Sequence, residues 1–472
     1  MSGSRGTDSR LCPSIRATPR SSILAFASIV AVSIVAYLPA IDNFFISDDF
    51  DLFGTIEAAK TNPRWFFEST TEFFRLVSYI YFGVCYWLFG LRAQPYYWAG
   101  IALHAIVSVL VYLLVKDLTD STLSGWAAGL FFAAYERHQE AIMWISAANE
   151  TILALNCLVF LLLWNRASER RSAICLVLAH VMFVVALFSK EAGVIMVPIA
   201  ALQLLLAGHS LRTVMRKSIV LTIMAGSFVL LWLAVERRNP FVTLGYYAFR
   251  PQFISVYLRS FARLLAQLAP LGAAWLITRY RRFPRDASDL APSILKSNPA
   301  TRKSATIFFS AFLMLAVAPY SFLTYQNHIP SRHTYLASIG LAGLVGILAA
   351  ALYARMTTEW SRRLGIMSFC TLLIGNISYL WLKKDLQFQQ RAAPTRELIT
   401  VLNADNKPHL PVHVCQFPLD PSVFNQTVKR FTPFDANMVM LADDCKDVEG
   451  TTIRWDENTS NYRTSSGDSP AD

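Results

Sequence analysis

Apolar runs of near-bilayer length recur through the first 382 residues of this chain, and they constrain its fold more than any other feature. The clear ones cover 22–41, 96–115, 123–136, 150–165, 172–188, 192–207, 218–235, 256–278, 305–324, 336–354 and 364–382. A helix needs about 20 apolar residues to cross the hydrocarbon core of a bilayer, so the pattern is that of an all-α polytopic membrane protein. Charge content agrees: 16% of the 472 residues are charged and 54% are hydrophobic, where a soluble domain carries about 25% charge. The net charge of +11 then reads as basic cytoplasmic loops, not as a nucleic-acid surface. No nucleic-acid partner is expected.

Loop charge orients the spans. The first run follows Arg5, Arg10, Arg16 and Arg20; it is long for a signal peptide and no small-residue cleavage site follows it, so it reads as a first span. One further run, LVSYIYFGVCYWLFG at 76–90, is short and aromatic-rich, and whether it crosses sets the side of everything after it. If it does not cross, 21 loop Lys and Arg fall inside and 10 outside; if it crosses, the split becomes 11 and 20. The positive-inside bias favours the first arrangement. Eleven crossings are therefore expected. The organisation is a basic cytoplasmic N-terminus at 1–21, a transmembrane domain at 22–382 with a juxtamembrane segment in its first external loop (42–95), and an external tail at 383–472. In that tail PVHVCQF and ANMVMLA read as strands of a small α/β unit, and the polar end reads as disordered. Cys85, Cys157, Cys175 and Cys370 read as small hydrophobes beside or within spans. No cysteine spacing points to a metal. Cys415 and Cys445 share the tail and are a candidate pair in an oxidising compartment.

This arrangement gathers the unusual residues on the external face. FFISDDFDLF, at 44–53, sets Asp48, Asp49 and Asp51 directly behind the first span. On the plain reading, Ser47 or Asp48 caps a short helix, DFDLFGTIEAAK. On the functional reading, a carboxylate at the membrane edge acts as a general base in a partly desolvated cleft, or Asp48 and Asp49 hold a divalent metal. ERHQEAIMWIS carries His138 and Glu140. Glu150 opens the next helix, where its charge suits the dipole. Lys190 and Glu191 form an adjacent opposite-charge pair between two spans. Arg332 and His333 lie in a short turn between spans, where a basic side chain either snorkels to the headgroups or offers its fork to a phosphate. Carboxylates and cations on one side, at headgroup level, suit a reaction on a lipid-linked phosphate.

The chain also resembles the GT-C class of membrane glycosyltransferases, notably the protein O-mannosyltransferase-like branch and its bacterial relatives. The matching pieces are FFISDDFDLF, EFFRLVSYIYFGVCYWLFG, YYWAGIALHAIVSVLVYLL, RHQEAIMWISAANETILAL, FSKEAGVIMVP and SRHTYLASIGLA, in the family's order, over residues 22 to about 350. The resemblance implies a donor of the polyprenyl-phosphate sugar type and a juxtamembrane segment in the first external loop. It puts the family's acidic pair on Asp48 and Asp49, the basic residue that follows on Arg75, the His and Glu of the external motif on His138 and Glu140, and the late Arg-to-aromatic piece on Arg332 to Tyr335. Two positions depart from the family pattern: Arg137 stands where a proline is usual, and Asn149 where an arginine is common.

The expected activity is inverting glycosyl transfer, of a hexose or pentose, to a hydroxyl of a protein, lipid or glycan, in what is expected to be a bacterial inner membrane. Asp48 is the candidate base, with Asp49 and Glu140 in catalytic support. Arg75, Lys190, Arg332, His333 and Tyr335 are the candidate donor-phosphate ligands, and His138, Glu150 and Glu191 are further site residues. No cofactor is required; a divalent metal is compatible with the acids but not needed, since arginines can neutralise a phosphate. The alternative function is a transporter or flippase of lipid-linked saccharides, which would place charged or broken helices at mid-membrane and show internal repeats.

Overall fold

The computed structural model describes residues 19–68, 73–245, 253–266, 298–322, 329–404, 411–434, 437–442 and 450–466. Its main helices are α1 (Pro19–Tyr37), α2 (Asp48–Thr61), α3 (Leu76–Phe89), α4 (Ala93–Thr119), α5 (Thr122–Ala134), α6 (Asn149–Arg170), α7 (Ala173–Ser189) and α8 (Met196–Leu206). They continue with α9 (Leu211–Glu236), α10 (Phe253–Leu265), α11 (Pro299–Val317), α12 (Ala337–Arg355), α13 (Glu359–Tyr379), α14 (Asp385–Leu402) and α15 (Pro421–Phe431). Among the described residues, 7 helical stretches are long and apolar enough to cross a membrane, and shorter apolar helices lie at Leu76–Phe89, Thr122–Ala134, Ala173–Ser189 and Glu191–Leu206. This is a multi-pass helical membrane protein.

Each apolar run read from the sequence falls on a helix, and the ends differ where polar residues extend one. The helix α9 starts at Leu211, not 218, because Ser210 caps it by accepting from the Thr213 amide at 3.4 Å. The run 256–278 is described only to residue 266; most of the basic loop 279–304, and Cys445, lie outside the described residues. Cys415 is disulfide-bonded.

Large apolar side chains stay exposed along the outer helices: Ile23 and Leu24 on α1, Ile174 and Val177 on α7, Leu230 on α9 and Met367 on α13. On a soluble protein such a belt would be a liability; here it is the surface that lipid covers. Inside the bundle, α12 carries Gly340, Gly343 and Gly346 one turn apart, and small residues let helices approach closely in a membrane. A Cβ built on Gly340 would lie 2.6 Å from the Leu313 amide nitrogen and 2.6 Å from the Phe309 carbonyl oxygen of α11.

Two expectations about the tail change. There is no break at residue 383: α13 runs through a π-helical turn at Leu380–Lys384 straight into α14. The polar end also folds. The strands are β1 (Val412–Cys415), β2 (Val439–Ala442), β3 (Thr451–Asp456) and β4 (Asn461–Ser466), in the order β2-β1-β3-β4. The strand β1 pairs in parallel with both β2 and β3, while β3 and β4 form an antiparallel hairpin registered Thr451 to Ser466. The stretch looks disordered by its Thr, Ser and Asn content. Its alternate residues Ile453 and Trp455, with Tyr462 opposite, nevertheless complete a core with Val412, Val414, Phe424, Val428 and Leu398. Period-two burial outweighs polar composition.

Gly340→Ala is expected to destabilise the bundle by about 1–3 kcal/mol through overpacking. Gly226→Ala on α9, where nothing lies within 4 Å of the added carbon, is expected to leave the unfolding midpoint in detergent unchanged or slightly higher. Equal midpoints for the two variants would show that the close approach at Gly340 does not matter.

Candidate active site

The acid loop is built around a buried carboxylate. Asp49, in the first turn of α2, is 1% exposed. Its Oδ2 accepts from the Ile46 amide at 2.9 Å and its Oδ1 from the Ser146 amide at 2.7 Å. The Trp144 indole donates to the Ile46 carbonyl at 3.3 Å. Residues 46–49 are thereby fastened to the 144–146 turn. Ser47 makes no side-chain cap to the helix; its φ of 42° is in a region non-glycine residues rarely occupy, which costs about 1–3 kcal/mol. The Ser47 hydroxyl instead donates to Asp48 Oδ1 at 3.1 Å. Asp48 itself is exposed. Asp51 is half-buried against Ser422 of the tail, and burial raises its pKa. The sequence expected Asp48 and Asp49 to act together, and the structure divides them: one faces outward, the other ties the loop down.

Arg332 stands on the same turn. Its guanidinium carbon lies 4.8 Å from the centre of the Trp144 ring, its backbone amide donates to Glu140 Oε2 at 3.1 Å, and its Nη1 is 3.8 Å from that oxygen. Both side chains are 23% exposed. Arg391 of α14 also lies over Trp144, at 4.7 Å. Nothing in the sequence singles out Arg391: it sits in QFQQRAAPTRE, a polar stretch past the last apolar run, and only the unbroken passage from α13 into α14 carries it to the site.

Behind this platform lies a chain of alternating charge. Glu150 accepts from Lys190, from His333 Nδ1 at 2.5 Å and from the Tyr320 hydroxyl at 3.1 Å. The His333 ring stacks on Tyr320 with centroids 4.7 Å apart. Burial and the Lys190 charge push the His333 pKa down to about 3, and Lys190 Nζ also lies 3.2 Å from His333 Nδ1. Arg75 makes a two-point ion pair with Glu191, at 3.1 and 2.8 Å. Glu236 accepts from the Phe74 amide at 2.5 Å and from Asn239 at 2.7 Å. Lys190, Glu150, Arg75, Glu191 and His333, expected to contact donor phosphate or to line the site, are thus engaged with one another here.

His138 and Tyr335 meet elsewhere. His138 is fully buried, with Nε2 2.6 Å from the Ser338 hydroxyl, and its ring centroid is 4.4 Å from that of Tyr335. The Tyr335 hydroxyl bonds His104 Nδ1 at 2.7 Å. His138 and Glu140, two residues apart, take different partners: Ser338 for the first and Arg332 for the second.

The tail grips the acid-loop helix. Arg430 donates to both Glu57 oxygens, at 2.6 and 2.9 Å, and holds that carboxyl below its usual range. Phe431 packs against Phe44, Phe45, Phe50 and Phe53, with centroids 5.6–6.5 Å apart. The Thr395 hydroxyl reaches the Phe45 carbonyl at 3.5 Å.

The acids fit a metal poorly. Both Asp49 oxygens already accept amides, which leaves Asp48 as one carboxylate without a chelating partner. Among the described residues, no three His, Cys, Asp or Glu assemble as a ligand set.

The bundle with its loop helix and small tail sheet is a GT-C membrane fold, the fold of membrane glycosyltransferases. Two solved structures share it: ArnT from Cupriavidus metallidurans bound to undecaprenyl phosphate, and ArnT from Cupriavidus metallidurans in the apo state. Each aligns with a TM-score of 0.50 and 11% identity, covering 92% of this chain and 93% of its own. At that identity the likeness speaks for the fold alone. No protein-family profile and no curated protein matches the sequence.

Asp49 carries a pH signature. Burial pushes its pKa up to about 7, against the two amides that pull it down. A raised acid binds its proton more tightly folded than unfolded, so its contribution is greatest below about pH 4 and falls as pH rises towards 7, by at most about 1.4 kcal/mol per unit. Denaturant unfolding of the parent and of Asp49→Asn between pH 4 and 8 is expected to show this slope in their difference. A flat difference would mean that Asp49 does not titrate there.

Proposed function

We propose that the chain is an inverting glycosyltransferase that moves a sugar from a polyprenyl-phosphate-linked donor to an acceptor hydroxyl at the external face of the membrane. The observation that carries this reading is the Trp144 platform. The acid loop is hydrogen-bonded to the 144–146 turn, and the Arg332 guanidinium lies over the same indole. An outward carboxylate and a cationic fork thus share one support. The GT-C fold supports the reading, and the ArnT of similar fold was solved with undecaprenyl phosphate, the kind of lipid phosphate that such a donor releases.

In the proposed reaction the acceptor O–H gives its proton to Asp48 as its oxygen attacks the anomeric carbon. The bond from that carbon to the phosphate oxygen breaks on the far face, and its electron pair leaves with the polyprenyl phosphate. One displacement inverts the carbon. Arg332 takes the phosphate oxygens, a role its planar fork suits. Glu140 aims Arg332, and Asp49 holds the base loop without touching substrate. Arg75, Lys190, Glu150, Glu191 and His333 brace the floor behind the phosphate, and His138 and Tyr335 brace the helix junction.

The membrane placement belongs to the same proposal. The helix α3 has 14 residues, about 21 Å of rise. It turns Ile80, Val84, Trp87 and Leu88 outward on one face, the habit of a helix lying in the interface. The tail then falls on the external side, where the bonded Cys415 suits an oxidising compartment.

Asp48→Asn is expected to fold normally and to lose about 10²- to 10⁴-fold in turnover. Arg332→Ala is expected to raise the donor KM, and Arg332→Lys to recover part of the loss, because the fork is absent. Transfer from a polyprenyl-phosphate sugar by the purified variants tests both; parental turnover in Asp48→Asn would return the acid loop to a purely structural role. A phosphatase reporter fused at residue 472 is expected to be active outside the cytoplasm, and activity confined to the cytoplasm would reverse the topology.

A further inference from the structure

A cavity of about 330 Å³ opens beside the acid loop, lined by Ile46, Ser47, Gln390, Arg391, Pro394, Pro418, Leu419, Trp455 and Glu457. Three separate parts of the chain build it: the loop before α2, the middle of α14, and the tail domain. Its size is at the lower end of small-ligand sites. Its chemistry is layered. Ile46, Pro394 and Trp455 are buried and make an apolar floor, while Gln390, Arg391 and Glu457 are exposed and make a polar rim. Ser47, also in the wall, donates to Asp48 at 3.1 Å.

We infer that this cavity binds one saccharide unit of the acceptor and presents its hydroxyl to Asp48, an inference that rests on the transferase reading above. A sugar ring has an apolar C–H face and a girdle of hydroxyls, each both donor and acceptor. The floor matches the face. The rim supplies an amide, a guanidinium and a carboxylate, so hydroxyls find both kinds of partner. The Glu457 carboxylate on the same rim as Arg391 argues against a phosphate at this place, since it would repel the anion. The cavity is also preformed. The Glu57–Arg430 pair and the Phe431 contacts fix the tail on α2, and the Tyr462 hydroxyl donates to the Pro394 carbonyl at 3.0 Å, tying the sheet to α14. A rigid site does not lose affinity to ordering its own walls.

Binding is testable without knowing the natural acceptor. The full-length protein in nanodiscs would be probed by saturation-transfer NMR with methyl α- and β-pyranosides of common hexoses and pentoses. Inorganic phosphate and a short peptide bearing Ser and Thr would serve as competitors. The expected result is saturation of ring C–H protons in at least one glycoside, unaffected by either competitor. The signal should fall about tenfold in Leu419→Trp, which fills the cavity, and in Glu457→Gln, which keeps its size. No glycoside signal, a signal in both variants equal to that of the parent, or displacement by phosphate or by the peptide would overturn the inference. Release of polyprenyl phosphate from its sugar-linked form, measured on the same preparation, separates the two claims. Release without glycoside binding sinks the cavity and leaves the transferase; glycoside binding without release leaves a saccharide site and sinks the transferase.

Discussion

The end of this bundle that carries the acid loop depends on one buried carboxylate. Glu150 accepts from Lys190, His333 and Tyr320, and the four side chains come from four segments: the start of α6, the junction before α8, the turn before α12 and the turn that follows α11. An ion pair so deeply buried adds little net stability, but removing one member leaves an uncompensated charge and commonly costs about 3–5 kcal/mol. Its value is therefore one of position. His333 follows Arg332 directly, so the arrangement that satisfies Glu150 also fixes where the Arg332 guanidinium meets Trp144. Arg75 with Glu191, and Glu236 with the Phe74 amide, extend the same alternation across the face.

The second support is the tail, which packs on the acid-loop helix of the membrane domain. Phe431 enters a cluster of four phenylalanines from the acid loop and α2, and Arg430 closes on Glu57 beside it. Apolar packing and a charge-assisted pair act on the same helix, the one that begins with Asp48 and Asp49. The tail thus sets the orientation of the acids and supplies Trp455, Glu457 and Leu419 to the cavity beside them. The unbroken passage from α13 to α14 makes the linkage stiff.

Much of this was legible in the sequence. A bilayer forces each crossing segment to be apolar for about 20 residues and to satisfy its own backbone bonds, so every span announces itself locally. The β1 and β2 segments, too, were visible as short apolar runs in a polar tail, and FFISDDFDLF stood out as three acids set against an apolar run. The family-like motifs pointed to the right fold, even though no profile matches.

What sequence order did not determine was which charges remain open. Asp48 and Asp49 are neighbours with identical side chains, yet one faces outward and the other is tied by two amides, because the first turn of a helix points successive residues about 100° apart. His138 and Glu140 are two residues apart and serve different clusters for the same reason. Arg75, Lys190 and Arg332 look equivalent as cations, and only packing decides that the first two are closely paired with carboxylates while the third, 3.8 Å from Glu140, lies over an indole. Arg391 and the β3–β4 hairpin were hidden in polar composition. The sequence determined the membrane fold, because burial in lipid is a property of each segment. The tertiary structure alone decided how the candidate site residues pair, because a charge's partner is a property of distance between segments that the chain order does not encode.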